Sequence, residues 1–89
     1  MELNEILGKL DGWSAAGGRE AICKSFTFKD FETAFAAMGK IALKAEEMNH
    51  HPEWFNVYNR LDVTLATHDA NGVTSYDFEL AQFIDKTCG

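Results

Sequence analysis

The sequence predicts an α+β fold: a four-stranded antiparallel sheet with helices packed on one face, in the order α-β-β-α-β-β-α. Three observations point to it. Residues 31–48 carry apolar side chains at helical spacing over about five turns. Two other stretches, 13–28 and 54–68, alternate between apolar and polar residues and are interrupted by turn residues. Two hairpins with apolar faces to cover, and two amphipathic helices able to cover them, pack as a two-layer sandwich.

The elements follow in order. Leu3 to Leu10 reads as a short helix, with Asn4 as N-cap and Leu3, Ile6, Leu7 and Leu10 on one face. Asp11 and Gly12 stop it. Trp13 to Ala15 is a short strand, and Gly17-Gly18 makes the turn into a second strand over Ala21 to Phe28. Ile22, Phe26 and Phe28 share one face of that strand, which Lys24 interrupts. Asp30 then caps a long helix whose core stripe is Phe31, Ala34, Phe35, Met38, Ile41, Ala42, Ala45 and Met48. A second stripe, Ala36, Gly39 and Leu43, is either ordinary surface or a contact between subunits.

The helix is expected to end near Asn49, with Pro52 forcing His51 into an extended conformation. The run WFNVYNRLDVTLATH is too long for one strand of usual length. It divides into a hairpin with Phe55 and Val57 alternating, a turn at Asn59-Arg60, then Leu61, Val63 and Leu65 alternating. Asp69, Ala70, Asn71 and Gly72 form a loop. Thr74 caps the last helix and Asp77 completes a capping-box-like pattern, ahead of Phe78, Leu80, Ala81, Phe83 and Ile84 on its apolar side.

The 89 residues make one domain. A chain of that size buries roughly 60–65% of its unfolded surface, so it needs an addition to its core. Cys23 and Cys88 are its only cysteines, without a C-x-x-C pair, so neither a disulfide scaffold nor a zinc ribbon is indicated. Oligomerisation is the remaining source of burial. The first ten residues lack the pattern of a signal peptide, and no apolar run reaches the roughly 18 residues of a membrane span. The chain is therefore expected to be soluble and intracellular. A formal net charge of −6 argues against direct contact with nucleic acid or an anionic membrane.

All three histidines lie in one stretch: His50 and His51 side by side before Pro52, and His68 after a strand. In an irregular loop both members of the pair can face one cavity, and Trp54 and Tyr58 share a parity that would set an aromatic wall beside them. Three readings compete. The rings are unrelated surface groups, or ligands of a catalytic zinc, or an acid–base set, since imidazole populates both states near neutral pH. An adjacent His-His pair chelates one ion poorly, but spacing alone does not separate the three. Glu46 and Asp77 are candidate carboxylates for orienting an imidazole; Glu46, set against the helix dipole, is the more suggestive.

Glu46, then NHHP over Asn49 to Pro52, EWFNVYN over Glu53 to Asn59, TLATH over Thr64 to His68, Gly72 and Asp77 closely resemble the pterin-4a-carbinolamine dehydratases. The likeness includes the AICKSFTFKDF segment and runs from about Gly12 to the C-terminus. It implies dehydration of 4a-hydroxytetrahydrobiopterin to the quinonoid dihydrobiopterin, without metal or bound organic cofactor, in tetrahydrobiopterin recycling. It implies His50, His51 and His68 as catalytic residues, and Glu46 and Asp77 as their support. The pterin would be bound by those three histidines with Pro52, Trp54, Thr67, Asp69 and Ala70. It also implies a dimer or tetramer and a cytoplasmic location. The HHPEWFNVYN stretch resembles animal-type members, which serve in addition as dimerisation cofactors of a homeodomain transcription factor. That gives a rival or companion role in protein binding, extending to the nucleus, with the long helix as the contact.

Overall fold

A computed structural model describes residues 2–70 and 72–89. Asn71, part of the expected 69–72 loop, lies outside the described residues. The elements are α1 (Leu3–Lys9), β1 (Ser14–Ala15), β2 (Ile22–Thr27), α2 (Phe31–Met48), β3 (Glu53–Val57), β4 (Arg60–Leu65) and α3 (Ser75–Cys88). The four strands form one antiparallel sheet in the order β1-β2-β4-β3, so each hairpin supplies one edge and one central strand. The α+β architecture and the element order are those read from the sequence.

The core is built from one face of the sheet. Ile22 and Phe26 of β2 and Leu61, Val63 and Leu65 of β4 are buried in one cluster with Ile6, Trp13, Ile41, Val73, Leu80, Ala81 and Ile84. Period-two alternation sends Ser25, Asp62 and Thr64 to the opposite face. Lys24, which interrupts the apolar pattern, shares the inward parity and reaches beyond the core to α3. There its Nζ donates to Asp85 Oδ1 at 2.8 Å and to the Asp11 carbonyl at 2.9 Å. Asp85 also accepts the Trp13 indole N–H at 3.0 Å. The charge is tolerated because it has partners.

Several local expectations are corrected. In α1, Glu2 rather than Asn4 is the N-cap, its backbone N–H donating to the Glu5 carboxylate at 3.4 Å. In α2 the buried residues are Ala34, Ala37, Ile41 and Ala45, with Met38 and Met48 half-buried; Phe31, Phe35 and Ala42 of the expected core stripe are exposed. The Phe31 and Phe35 rings stack on each other 5.7 Å apart, beside exposed Ala36, Gly39 and Leu43. Phe31, Phe35 and Ala42 of the expected core stripe therefore join the second stripe on the outer face, while the rest of the core stripe faces inward. In β3 the inward residues are Trp54 and Asn56, while Phe55 and Val57 point outward and are exposed. The hairpin turns at Tyr58-Asn59, one residue earlier than expected, with Tyr58 at φ 50°. Its geometry is fixed by Asn59, whose side chain donates to the Phe28 carbonyl at 2.9 Å.

Helix capping matches the sequence reading at both long helices. The Thr33 backbone N–H donates to Asp30 Oδ1 at 2.8 Å, and Thr74 with Asp77 forms a capping box on α3. Hydrogen bonding from Thr33, through its side chain and then its backbone, holds the Asp30 carboxyl below the ordinary carboxylate range. A depressed folded-state value adds stability above the unfolded value and loses it as pH falls through the folded one. Melting temperatures of the wild type and Asp30→Ala, measured from pH 7 to pH 2.5, should therefore differ at neutral pH and converge in acid. A constant gap would contradict the ionised cap.

Candidate active site

The end of α2 meets the exit of β4 and the start of α3. Asn49 closes α2 in the left-handed region at φ 51°, a conformation asparagine tolerates better than most residues. The His50 N–H donates back to the Ala45 carbonyl at 3.0 Å and the Asn49 N–H to that of Glu46 at 3.1 Å, a Schellman-type closure. The chain is thus already turned out of the helix before Pro52, which follows the stop rather than imposing it.

This turn sets two imidazoles beside two carboxylates. His50 Nε2 lies 2.6 Å from Asp77 Oδ1, and His51 Nε2 lies 2.6 Å from Glu46 Oε1. The two pairs differ in setting. Asp77 is fully buried and the His50 side chain is 11% exposed, whereas His51 and Glu46 are open to solvent. Because a carboxylate accepts, each histidine donates through Nε2–H, and Nδ1 is the ring nitrogen left for other work.

Asp77 is held from three directions. Its Oδ2 accepts the Thr67 hydroxyl at 2.7 Å and the Thr74 backbone N–H at 2.9 Å, while Oδ1 faces His50. Thr67 Oγ1 is also 2.7 Å from Thr74 Oγ1. With the Thr67 proton committed to Asp77, Thr74 is the donor in that pair. One carboxylate therefore caps α3, ties down the segment leaving β4, and orients His50.

A cleft of about 490 Å³ opens on this arrangement, lined by Met48, Asn49, His50, His51, Ala66, Thr67, His68, Asp69 and Tyr76. It brings together five of the residues expected around a ligand: His50, His51, Thr67, His68 and Asp69. Pro52, Trp54 and Ala70 do not line it. Trp54 packs inward on the core edge. Tyr58 sits in the turn at the opposite end of β3, so the expected aromatic wall is absent among the described residues. The aromatic residue that does line the cleft is Tyr76, whose ring centroid is 5.8 Å from that of His50. The only hint of it in the sequence is its place beside Asp77 in the first turn of α3.

His68 is exposed in the turn after β4. It stands between the cleft and a second hollow of about 340 Å³. Nearby, Arg19 in the first hairpin grips Glu53 with two bonds of 2.7 and 2.8 Å. Among the described residues, no three His, Cys, Asp or Glu side chains are placed to hold a metal ion. Cys88 lies elsewhere in the fold; burial, and then Asp85, push its thiol up to about 11, so it is no nucleophile at neutral pH.

Residues 1–87 match the family profile of pterin 4 alpha carbinolamine dehydratase. The chain belongs to this family. It is 63% identical over 79 residues to a Burkholderia vietnamiensis protein provisionally named as such a dehydratase, covering 89% of this chain and 78% of that one. A Brucella ovis protein with the same provisional name is 58% identical, over 99% of this chain and 91% of its own. A solved structure from Brucella melitensis, described as a transcriptional coactivator/pterin dehydratase, superposes with a TM-score of 0.96 at 58% identity. It covers 99% of this chain and 94% of the other. A pterin dehydratase-like RuBisCO assembly factor of the alpha-carboxysome shares the fold, with a TM-score of 0.75 at 20% identity over 88% of this chain and 90% of its own. Among the described residues, no helix is long and apolar enough to cross a membrane.

Thr67→Val keeps the shape of the side chain and removes its hydroxyl, leaving the buried Asp77 Oδ2 one donor short. Chemical denaturation should show a loss of about 1–3 kcal/mol. Unchanged stability would mean that the hydroxyl does not support Asp77.

Proposed function

We propose that the chain dehydrates a 4a-hydroxytetrahydropterin to the quinonoid dihydropterin by histidine acid–base catalysis, as a step in tetrahydrobiopterin recycling in the cytoplasm. The observation that carries this reading is a cleft faced by three imidazoles, two of them each held through Nε2 by a carboxylate. The reaction breaks the C4a–O bond, forms the C4a–N5 double bond and releases water. It needs one proton delivered to the departing hydroxyl and one removed from N5. Groups that can hold or release a proton at neutral pH suit both transfers, and the net reaction consumes neither acid nor base.

His50 and His68 form the acid–base pair in this reading, and His51 binds the substrate and assists proton transfer. Support for His50 comes from Asp77, which fixes its ring and tautomer in the manner of a carboxylate behind a catalytic imidazole. Glu46 does the same for His51 at the open side. Thr67 and Asp69 flank the ligand. In a stopped-flow assay with chemically generated 4a-hydroxytetrahydropterin, His50→Ala and His68→Ala should each slow dehydration about 10²-fold or more. A chelator should leave the wild-type rate unchanged. A folded variant with a near-normal rate would remove that histidine from the pair, and loss of activity on chelation would restore a metal to the mechanism.

A second, compatible reading is protein binding through α2. Two observations favour it: the exposed Phe31, Phe35 and Leu43 along one face, and the coactivator description of the 58% identical Brucella structure. The same face would join copies of this chain into a dimer or tetramer, and a homeodomain transcription factor would dock there in the nucleus. The protein itself would touch no DNA, in keeping with its net charge of −6. Leu43→Asp should reduce the apparent mass on size-exclusion chromatography while each subunit stays folded. An unchanged elution volume would place the interface elsewhere.

A further inference from the structure

We infer that Tyr76 is the platform on which the pterin ring stacks, and so a substrate-positioning residue; this rests on the pterin reading of the cleft. The cleft lining includes three imidazoles, but otherwise consists of one tyrosine and residues whose side chains are aliphatic, small or polar. Tyr76 is 55% exposed, a large aromatic surface left open at the mouth of a cavity. The buried apolar residues of α3 are Leu80, Ala81 and Ile84; Tyr76 lies one turn before Leu80, in the first turn of the helix, where its ring is exposed rather than buried.

Its position is nonetheless well fixed. The Tyr76 backbone N–H donates to Thr74 Oγ1 at 3.3 Å, and the next residue is Asp77, anchored to Thr67 and His50. The Tyr76 ring lies 5.8 Å from the His50 ring at 34°, tilted rather than perpendicular. A planar bicyclic heterocycle lying on Tyr76 would thus be held beside the imidazole that Asp77 orients. Stacking of a flat heterocycle on an aromatic ring tolerates variation at the ligand's edge and depends on ring area. The contribution assigned here is to binding and register, with proton transfer left to the histidines.

Uniform binding of this kind appears in KM more than in kcat. Three variants separate the ring from its hydroxyl and from mere bulk: Tyr76→Phe, Tyr76→Leu and Tyr76→Ala. Each is assayed for dehydration kinetics and for equilibrium binding of 7,8-dihydrobiopterin as a non-reacting probe, with circular dichroism as a check on folding. Tyr76→Ala and Tyr76→Leu should weaken binding and raise KM by about tenfold, with kcat changed less than threefold. Tyr76→Phe should restore both values to within about threefold of the wild type.

Tyr76→Ala binding as tightly as the wild type would overturn the inference and leave the pterin reading intact. A Phe variant as weak as the Ala variant would also overturn it, by assigning the effect to the hydroxyl. A kcat loss matching that of His50→Ala, with KM unchanged, would overturn it in favour of a role through His50. Failure of the wild type to bind or turn over any pterin would remove the functional reading itself, and the platform with it.

Discussion

The buried carboxylate of Asp77 is the point on which the site depends. A charge-bearing group with no solvent exposure is tolerable only with partners, and Asp77 has three: the His50 ring, the Thr67 hydroxyl and the Thr74 backbone N–H. These come from three separate segments: the end of α2, the exit of β4 and the start of α3. One oxygen of the carboxylate, Oδ2, therefore satisfies the helix N-terminus while the other, Oδ1, fixes the imidazole. Structure and chemistry are joined in one side chain, so a substitution there cannot be read as purely structural or purely functional. Glu46 offers a contrast: it holds His51 at the surface, where solvent screens the pair and the geometry is easier to alter.

Much of this was legible in the sequence because it is local. Asp30 and Thr74 mark helix starts by side-chain chemistry that operates over three residues, and the Leu61-Val63-Leu65 alternation names its own buried face. The grouping of the histidines was equally visible. The link between His50 and Asp77 was not deducible from spacing, since it joins residues 27 apart through tertiary packing. Tyr76 was invisible for the same reason: on its own helix it is an ordinary exposed residue, and only the neighbouring loop makes it part of a cleft.

The misread face of α2 and the unassigned face of β3 share one physical cause. In α2 and β3 more than one face is apolar, so periodicity does not decide which face is buried. In α2 the core takes Ala34, Ala37 and Ala45 in place of the larger Phe31 and Phe35, since small side chains let a helix approach a sheet closely. In β3 both parities carry large apolar residues, Trp54 inward and Phe55 with Val57 outward. A strand buried on one face normally specifies its parity strongly, but an edge strand apolar on both sides does not. These ambiguous faces are the surfaces a single chain leaves uncovered.

The strand order has a kinetic consequence. Each hairpin closes locally, but the middle of the sheet is the β2–β4 pair, which matches Ile22 with Leu65 and Thr27 with Arg60. Those partners come from opposite halves of the sequence, with all of α2 between them. Closing so long a loop is entropically unfavourable before the contacts that reward it exist. The barrier to folding should therefore lie at the docking of one hairpin on the other. α2 can shorten the search, since a preformed helix behaves as a stiff spacer rather than as free chain. The residues that seal the sheet, Ile22, Phe26, Leu61 and Leu65, are then the ones whose truncation would slow folding as well as weaken the native state.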